Sequence, residues 1–160
     1  MIRRCYSRKF QEKYKSYQGC LVCNEWLSYS VFKDWFDKNY IDGLDLDKDI
    51  LVKGNKIYSP ETCVFVPHRI NALLLSCKEA RGNLPIGVSV YSKNKYQVKI
   101  TSGKKKYHIG YFNTKEDAFM AYKRAKEAYV RQVAQEYYSK SQIPTNVYEA
   151  LMRWEISETD

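Results

Sequence analysis

Alternation of apolar and acidic side chains marks the centre of the chain. Leu44, Asp45, Leu46 and Asp47 repeat with a period of two, the pattern of a half-buried strand. A loop holding Gly54-Asn55 and Ser59-Pro60 follows, and the apolar run Cys63 to Val66 reads as a returning strand. Pro67 suits the first turn of a helix, where its missing N–H is no loss. Ile70, Leu73, Leu74 and Cys77 give that helix one apolar stripe. The stretch is strand, loop, strand, helix, with Asp47 at the end of the first strand, Asn55 in the loop and Asn71 on the helix.

The flanking patterns complete the set of elements. The first ten residues or so are helical. Residues 25 to 38 predict an amphipathic helix whose stripe of Trp26, Tyr29, Phe32 and Phe36 packs as core. Gly82, Asn83 and Pro85 break both periodicities and mark a linker over 79–85. Residues 86–91, 96–101 and 105–112 read as a three-stranded antiparallel sheet, with turns at Lys93-Asn94 and Ser102-Gly103. Alternation sends Val88, Val98, Ile100 and Ile109 inward. Thr114-Lys-Glu-Asp117 resembles a capping box and opens a helix to about Tyr138. Its inner face is Ala118, Ala121, Tyr122, Ala125, Ala128 and Tyr129. The tail, Ile143 to Ile156, predicts a short helix and a packed end. The expected fold class is α+β: a strand–strand–helix unit over 1–78, a linker over 79–85, a sheet backed by a long helix over 86–140, and a packed tail over 141–160.

Charge changes this picture from architecture to partner. The 160 residues carry 27 Lys and Arg against 18 Asp and Glu, a formal net charge of +9 that favours a polyanion. It is unevenly spread. From Asp34 to Asp49 there are six Asp and two Lys, whereas from Ala80 to Lys115 there are eight basic residues and no acid. Metal sites need carboxylates, and nucleic-acid surfaces need the opposite; a solvated acidic loop and a solvated basic face give the same counts. No apolar run approaches the roughly 18 residues of a membrane span, and the N-terminus lacks the apolar core of a signal peptide. Five cysteines without a secretion signal read as reduced thiols in a cytoplasm. Cys20 and Cys23 form C-x-x-C, half of a zinc site for which Cys5, Cys63 and His68 are the remaining candidate ligands. Buried free thiols are the favoured reading.

The central pattern resembles the ββα-metal site of HNH nucleases. Much of the chain is similar to the freestanding HNH homing endonucleases of tailed phages. The likeness is carried by MIRRCYSRKF, YQGCLVC, EWLSYSVFKDW, LDKDILVKGNKIYSPETCVFVP and Ile70-Asn71. The resemblance implies a phage-encoded enzyme acting on DNA in the host cytoplasm, with one Mg²⁺ or Mn²⁺ ion held by few protein ligands. Carried over by position, Asp47 is the first metal ligand, Asn71 the second and Asn55 the brace of the loop. The general-base position falls on Lys48, where HNH sites usually have His. A lysine near its ordinary pKa is a poor base, so Asp49 and His68 are candidate substitutes. Asp49 would share the strand face of Asp47, and His68 the helix face of Asn71.

The second module resembles the Apetala-type (ethylene-response-factor) DNA-binding domain, through GVSVYSKNKYQVKI and HIGYFNTKEDAFMAY. In that family the exposed sheet face enters the major groove. The resemblance carries that role onto Ser89, Tyr91, Lys93, Lys99, Thr101, Lys106 and His108. Arg positions of the family have become Ser, Tyr, Lys or Thr, and a Trp has become His108. Lysine lacks the two-pronged guanidinium, so more phosphate contact and less base readout are expected. The function expected from the whole chain is a metal-dependent endonuclease of duplex DNA. Its rivals are a DNA-binding protein that has lost cleavage, and a phage protein that binds an acidic host protein.

Overall fold

The computed structural model describes residues 1–75, 82–102, 105–158 and 160. The chain is mixed α and β and divides into two compact units, Met1–Asn71 and Ala72–Asp160. The expected linker lies partly outside the described residues, as does Cys77. No helix among the described residues is long and apolar enough to cross a membrane.

The first unit opens with two short helices, α1 (Ile2–Tyr6) and α2 (Arg8–Lys13), in place of one. Ser7 breaks them, and its hydroxyl accepts from the Phe10 amide to cap α2. Cys5 faces inward from α1 and joins Cys20, Val22, Trp26, Tyr58 and Cys63 in a buried cluster. Strand β1 (Leu21–Val22) pairs in parallel with β3 (Ile57–Tyr58), a pairing too short to leave a periodicity in the sequence. Helix α3 spans Tyr29–Asn39. The expected start at residue 25 is instead a separate 3₁₀ turn, Glu25–Leu27, broken from α3 at Ser28. Tyr29 therefore stands 74% exposed at the head of α3, outside the core. Trp35 takes its place, with ring centres 4.6 Å from Trp26 and 5.5 Å from Phe65.

Strand β2 (Leu44–Asp47) pairs antiparallel with β4 (Val64–Pro67), and α4 (His68–Leu73) follows directly. Strand, loop, strand and helix thus occur in the expected order. The register sets Leu44 opposite Pro67 and Asp47 opposite Val64. The head of α4 consequently begins beside the start of β2.

The second unit is a sheet in the order β5 (Val88–Ser92), β6 (Lys95–Ser102), β7 (Lys105–Phe112), backed by α5 (Lys115–Ser139). The Thr114 hydroxyl caps α5 by accepting from the Asp117 amide. Val88 and Val98 pack under Ala118, Phe119 and Tyr122, with Ile156 closing the cluster from the tail beyond α6 (Thr145–Met152). The inner face of α5 continues through Val130, Val133 and Ala134, and Ala128 is exposed. Steps of four from Ala118 lead through Tyr122 to Val130 and Ala134 and leave Ala128 on the far side. Ile109 also departs from expectation: it is 38% exposed. The pairing jumps from Val98–Gly110 to Lys99–His108, so Ile109 is the extra residue of a bulge and strict alternation fails there. Gly87, at φ +74°, passes against Tyr122, where an added Cβ would lie 2.0 Å from the ring.

Candidate functional site

In the first unit two side chains of α4 meet on one carboxylate oxygen of β2. Asp45 Oδ2, on β2, accepts from Asn71 Nδ2 at 3.0 Å and lies 2.7 Å from His68 Nδ1. Asp45 and His68 are 23 residues apart, and Asp45 and Asn71 are 26 apart. His68 is 82% exposed as a side chain and Asp45 37%, so the group faces solvent. The Asn71 amide first, then the His68 imidazole, hold the Asp45 carboxyl below its ordinary range; Arg4 adds a smaller pull.

Asp47 sits differently. Its Oδ1 accepts from the backbone amides of Asp49 and Ile50, at 2.6 and 2.7 Å, and so pins the turn that leaves β2. Burial pushes its carboxyl up, against the pull of those two amides. The partner of Asn71 is therefore Asp45, two residues before the expected ligand. The reason is the register: an antiparallel return strand delivers the head of α4 to the beginning of β2, where Asp45 stands.

Asn55 has the expected bracing geometry. Its Nδ2 donates to the carbonyls of Lys48 and Ile57, at 2.8 and 2.7 Å, and its Oδ1 accepts from the Ile57 amide. Lys48, at the usual base position, is only 6% exposed. Its Nζ donates to Asp49 Oδ1 and to the Asn55 carbonyl, and lies 5.8 Å from the Tyr58 ring centre. Lys48 and Asp49 are thus engaged with each other in holding the loop, beyond the end of β2 and away from a shared strand face. His68 does share a helix face with Asn71 and is the one candidate base hydrogen-bonded into the exposed group.

Among the described residues no three His, Cys, Asp or Glu side chains are placed to hold a metal ion. The exposed group reaches three donors only through the Asn71 amide. Of these, the carboxylate and the carboxamide oxygen are ligands that a hard divalent cation takes, with water and phosphate oxygens filling its shell, whereas an imidazole suits softer ions. The cysteines fit a metal less well. Cys5, Cys20 and Cys63 are buried free thiols and Cys23 packs beside them. Burial pushes the Cys63 thiol up to about 12 and raises Cys5 and Cys23, which disfavours the thiolates zinc requires.

In the second unit the pairing gathers Ser89, Lys99, Thr101, Lys106 and His108 on the outer sheet face, opposite the helix. Tyr91 stands at a second register shift, and Lys93 in the turn before Asn94, whose φ is +60°. Two residues not expected from the sequence complete this face. Tyr111 has its ring centre 4.4 Å from Tyr91 and 4.5 Å from His108, and its hydroxyl accepts from Gln97 Nε2. Strand alternation from His108 would have turned Tyr111 inward; the bulge at Ile109 restores it to the outer face. The face is an exposed aromatic row flanked by lysines. No family model, curated protein or solved structure matches the chain.

Proposed function

We propose that the chain is a divalent-metal-dependent endonuclease of duplex DNA, of the HNH type, with its site at Asp45, His68 and Asn71. The observation that carries the reading is the convergence of His68 and Asn71 on one oxygen of Asp45, at the strand–helix junction of a ββα unit. Asp45 and Asn71 would hold a Mg²⁺ or Mn²⁺ ion, which supplies charge stabilisation at the leaving oxygen of the phosphodiester. His68 donates Nδ1–H to Asp45, which orients the ring and leaves Nε2 to take a proton from the attacking water. Asp47 and Asn55 fix the loop between the strands. The lysine-rich outer sheet face of the second unit binds the duplex, chiefly through its phosphates.

A second reading is a DNA-binding protein that no longer cuts. It is favoured by the burial of Lys48 at the usual base position and by its pairing with Asp49 and the Asn55 carbonyl. Conversion of supercoiled plasmid to nicked or linear form in Mg²⁺ or Mn²⁺, with a chelator control, separates the two. Chelator-sensitive conversion is the expected result. Duplex binding without conversion in either metal establishes the second reading.

A further inference from the structure

We propose that Tyr91, Tyr111 and His108 form a stacking platform for unpaired nucleobases, so that the outer sheet face of the second unit takes single-stranded DNA as a ligand in its own right. That the strand is DNA rests on the nuclease reading; the platform rests on the geometry of the second unit alone. The three rings make a continuous row. Tyr91 on β5 reaches across the central strand to Tyr111 on β7, with ring centres 4.4 Å apart, and Tyr111 meets His108 at 4.5 Å. The two contacts are tilted, by 51° and 52°. A flat stack would close a face of each ring, whereas a tilted contact meets its neighbour by an edge and leaves ring faces open. Gln97, opposite Tyr111 on β6, donates from Nε2 to the Tyr111 hydroxyl at 3.2 Å and so orients that ring. Plain alternation would not produce the row. The register shifts at Tyr91 and at Ile109 re-aim the side chains, and the second sets His108 and Tyr111 on one face although three positions separate them.

The surroundings name the occupant. Val88 and Val98, on the other face, are covered by α5, whereas Tyr91 is 58% exposed and Tyr111 49%. The sequence from Val88 to Phe112 contains no Asp or Glu, and Lys99 and Lys106 stand exposed on the outer face with His108. Lysines that hold phosphates beside aromatic faces that stack bases are the two features by which single strands are bound. A continuous duplex engages only the first. Its bases are covered above and below by their neighbours and show the groove only their edges, so these rings stack on a base only where it is unpaired. Phosphate contacts alone favour the duplex, which releases about 0.9 counterion per contact against about 0.7 for a single strand. Stacking adds about tenfold per base, enough to reverse that order.

The test uses the full chain, a chelator so that binding is read without cleavage, and fluorescence anisotropy of labelled oligonucleotides of one sequence. The single strand is expected to bind at least as tightly as its duplex at the same salt. A strand of equal length with abasic sites in place of its bases keeps every phosphate and should bind about 10-fold or more weakly. Tyr91→Ala and Tyr111→Ala should each weaken the single strand about 10-fold with the salt slope unchanged. Tyr111→Phe, which keeps the ring, should stay within about threefold of wild type. Tyr107→Ala removes an equally exposed ring that pairs with Ile100 on the opposite face, and should leave the affinity unchanged. Equal binding of the abasic and normal strands, with Tyr111→Ala at wild-type affinity, overturns the platform and leaves the nuclease reading intact. Tighter binding of RNA of the same sequence, lost in the same variants, overturns the assignment of DNA as the ligand. A wild type that discriminates against the abasic strand, yet cuts no plasmid in Mg²⁺ or Mn²⁺, refutes the nuclease reading and retains the platform. If a tyrosine variant does not fold, the abasic comparison on the wild type decides.

Discussion

Asp47→Ala removes the acceptor that pins the turn after β2. Two backbone amides, Asp49 and Ile50, converge on one Asp47 oxygen at 2.6 and 2.7 Å. A hydrogen bond to a charged group contributes about 1.5–3 kcal/mol. Two bonds sharing one oxygen, in a turn that water can partly reach, set the expected loss at about 2–4 kcal/mol. Asp47→Asn keeps an Oδ1 acceptor in place and removes the half-buried charge, so it should lie within about 1 kcal/mol of wild type. The two forms should also part with pH. Burial raises the Asp47 carboxyl in the folded chain, so the folded state holds more protons than the unfolded state between the two titrations. Wild-type stability therefore falls as pH rises from the ordinary carboxylate range through the folded value, and levels off above it. The Asn variant lacks this contribution and should gain on wild type across that window. Urea unfolding followed by tryptophan fluorescence measures both effects, because Trp26 and Trp35 both belong to the first unit; a Trp154→Phe background removes the signal of the second. Unfolding of Asp47→Ala at the wild-type urea midpoint would refute the assignment of Asp47 as a structural cap.

Other expectations follow from the same geometry. Gly87→Ala places a Cβ 2.0 Å from the Tyr122 ring at a φ of +74°; the left-handed backbone and the overlap together should cost about 2–5 kcal/mol, read as a lowered Tm of the second unit. Lys99→Ala and Lys106→Ala should each flatten the slope of log K against log salt by about 0.9 and weaken binding to all duplexes alike; an unchanged slope removes that lysine from the interface. Tyr111→Ala should alter which duplexes are preferred with little change in slope. His68→Ala should abolish the acidic limb of the pH–rate profile for nicking, and an unchanged profile excludes it as the base.

Much of this arrangement was legible in the residues. The alternation at Leu44–Asp47 and the apolar run before Pro67 marked the strands of the ββα unit, because period is a local property; Pro67, expected in the first turn of the helix, instead ends β4 one residue before it. The loop position of Asn55 was legible for the same reason, while its bracing role was implied only by the resemblance to HNH nucleases. That Asn71 and His68 turn to Asp45 and not to Asp47 was not legible, since both Asp share a strand face and only the register against Val64–Pro67 separates them. That register is a long-range property, although an antiparallel return into a helix already favours the start of the first strand. Tyr111 was hidden by a bulge that no local pattern announces. Tyr29 was misplaced because a helix period was extended across Ser28, where the chain turns from 3₁₀ to α.

The most direct measurement of the central claim is single-turnover plasmid cleavage in Mg²⁺ and in Mn²⁺ by the wild type, Asp45→Asn, Asn71→Ala and Asp47→Asn, each first shown to bind duplex normally. Chelator-sensitive cleavage by the wild type, loss of about 100-fold or more in Asp45→Asn and Asn71→Ala, and near wild-type rates in Asp47→Asn is the result expected. Full activity in Asp45→Asn would contradict the account, as would the absence of cleavage by the wild type in both metals.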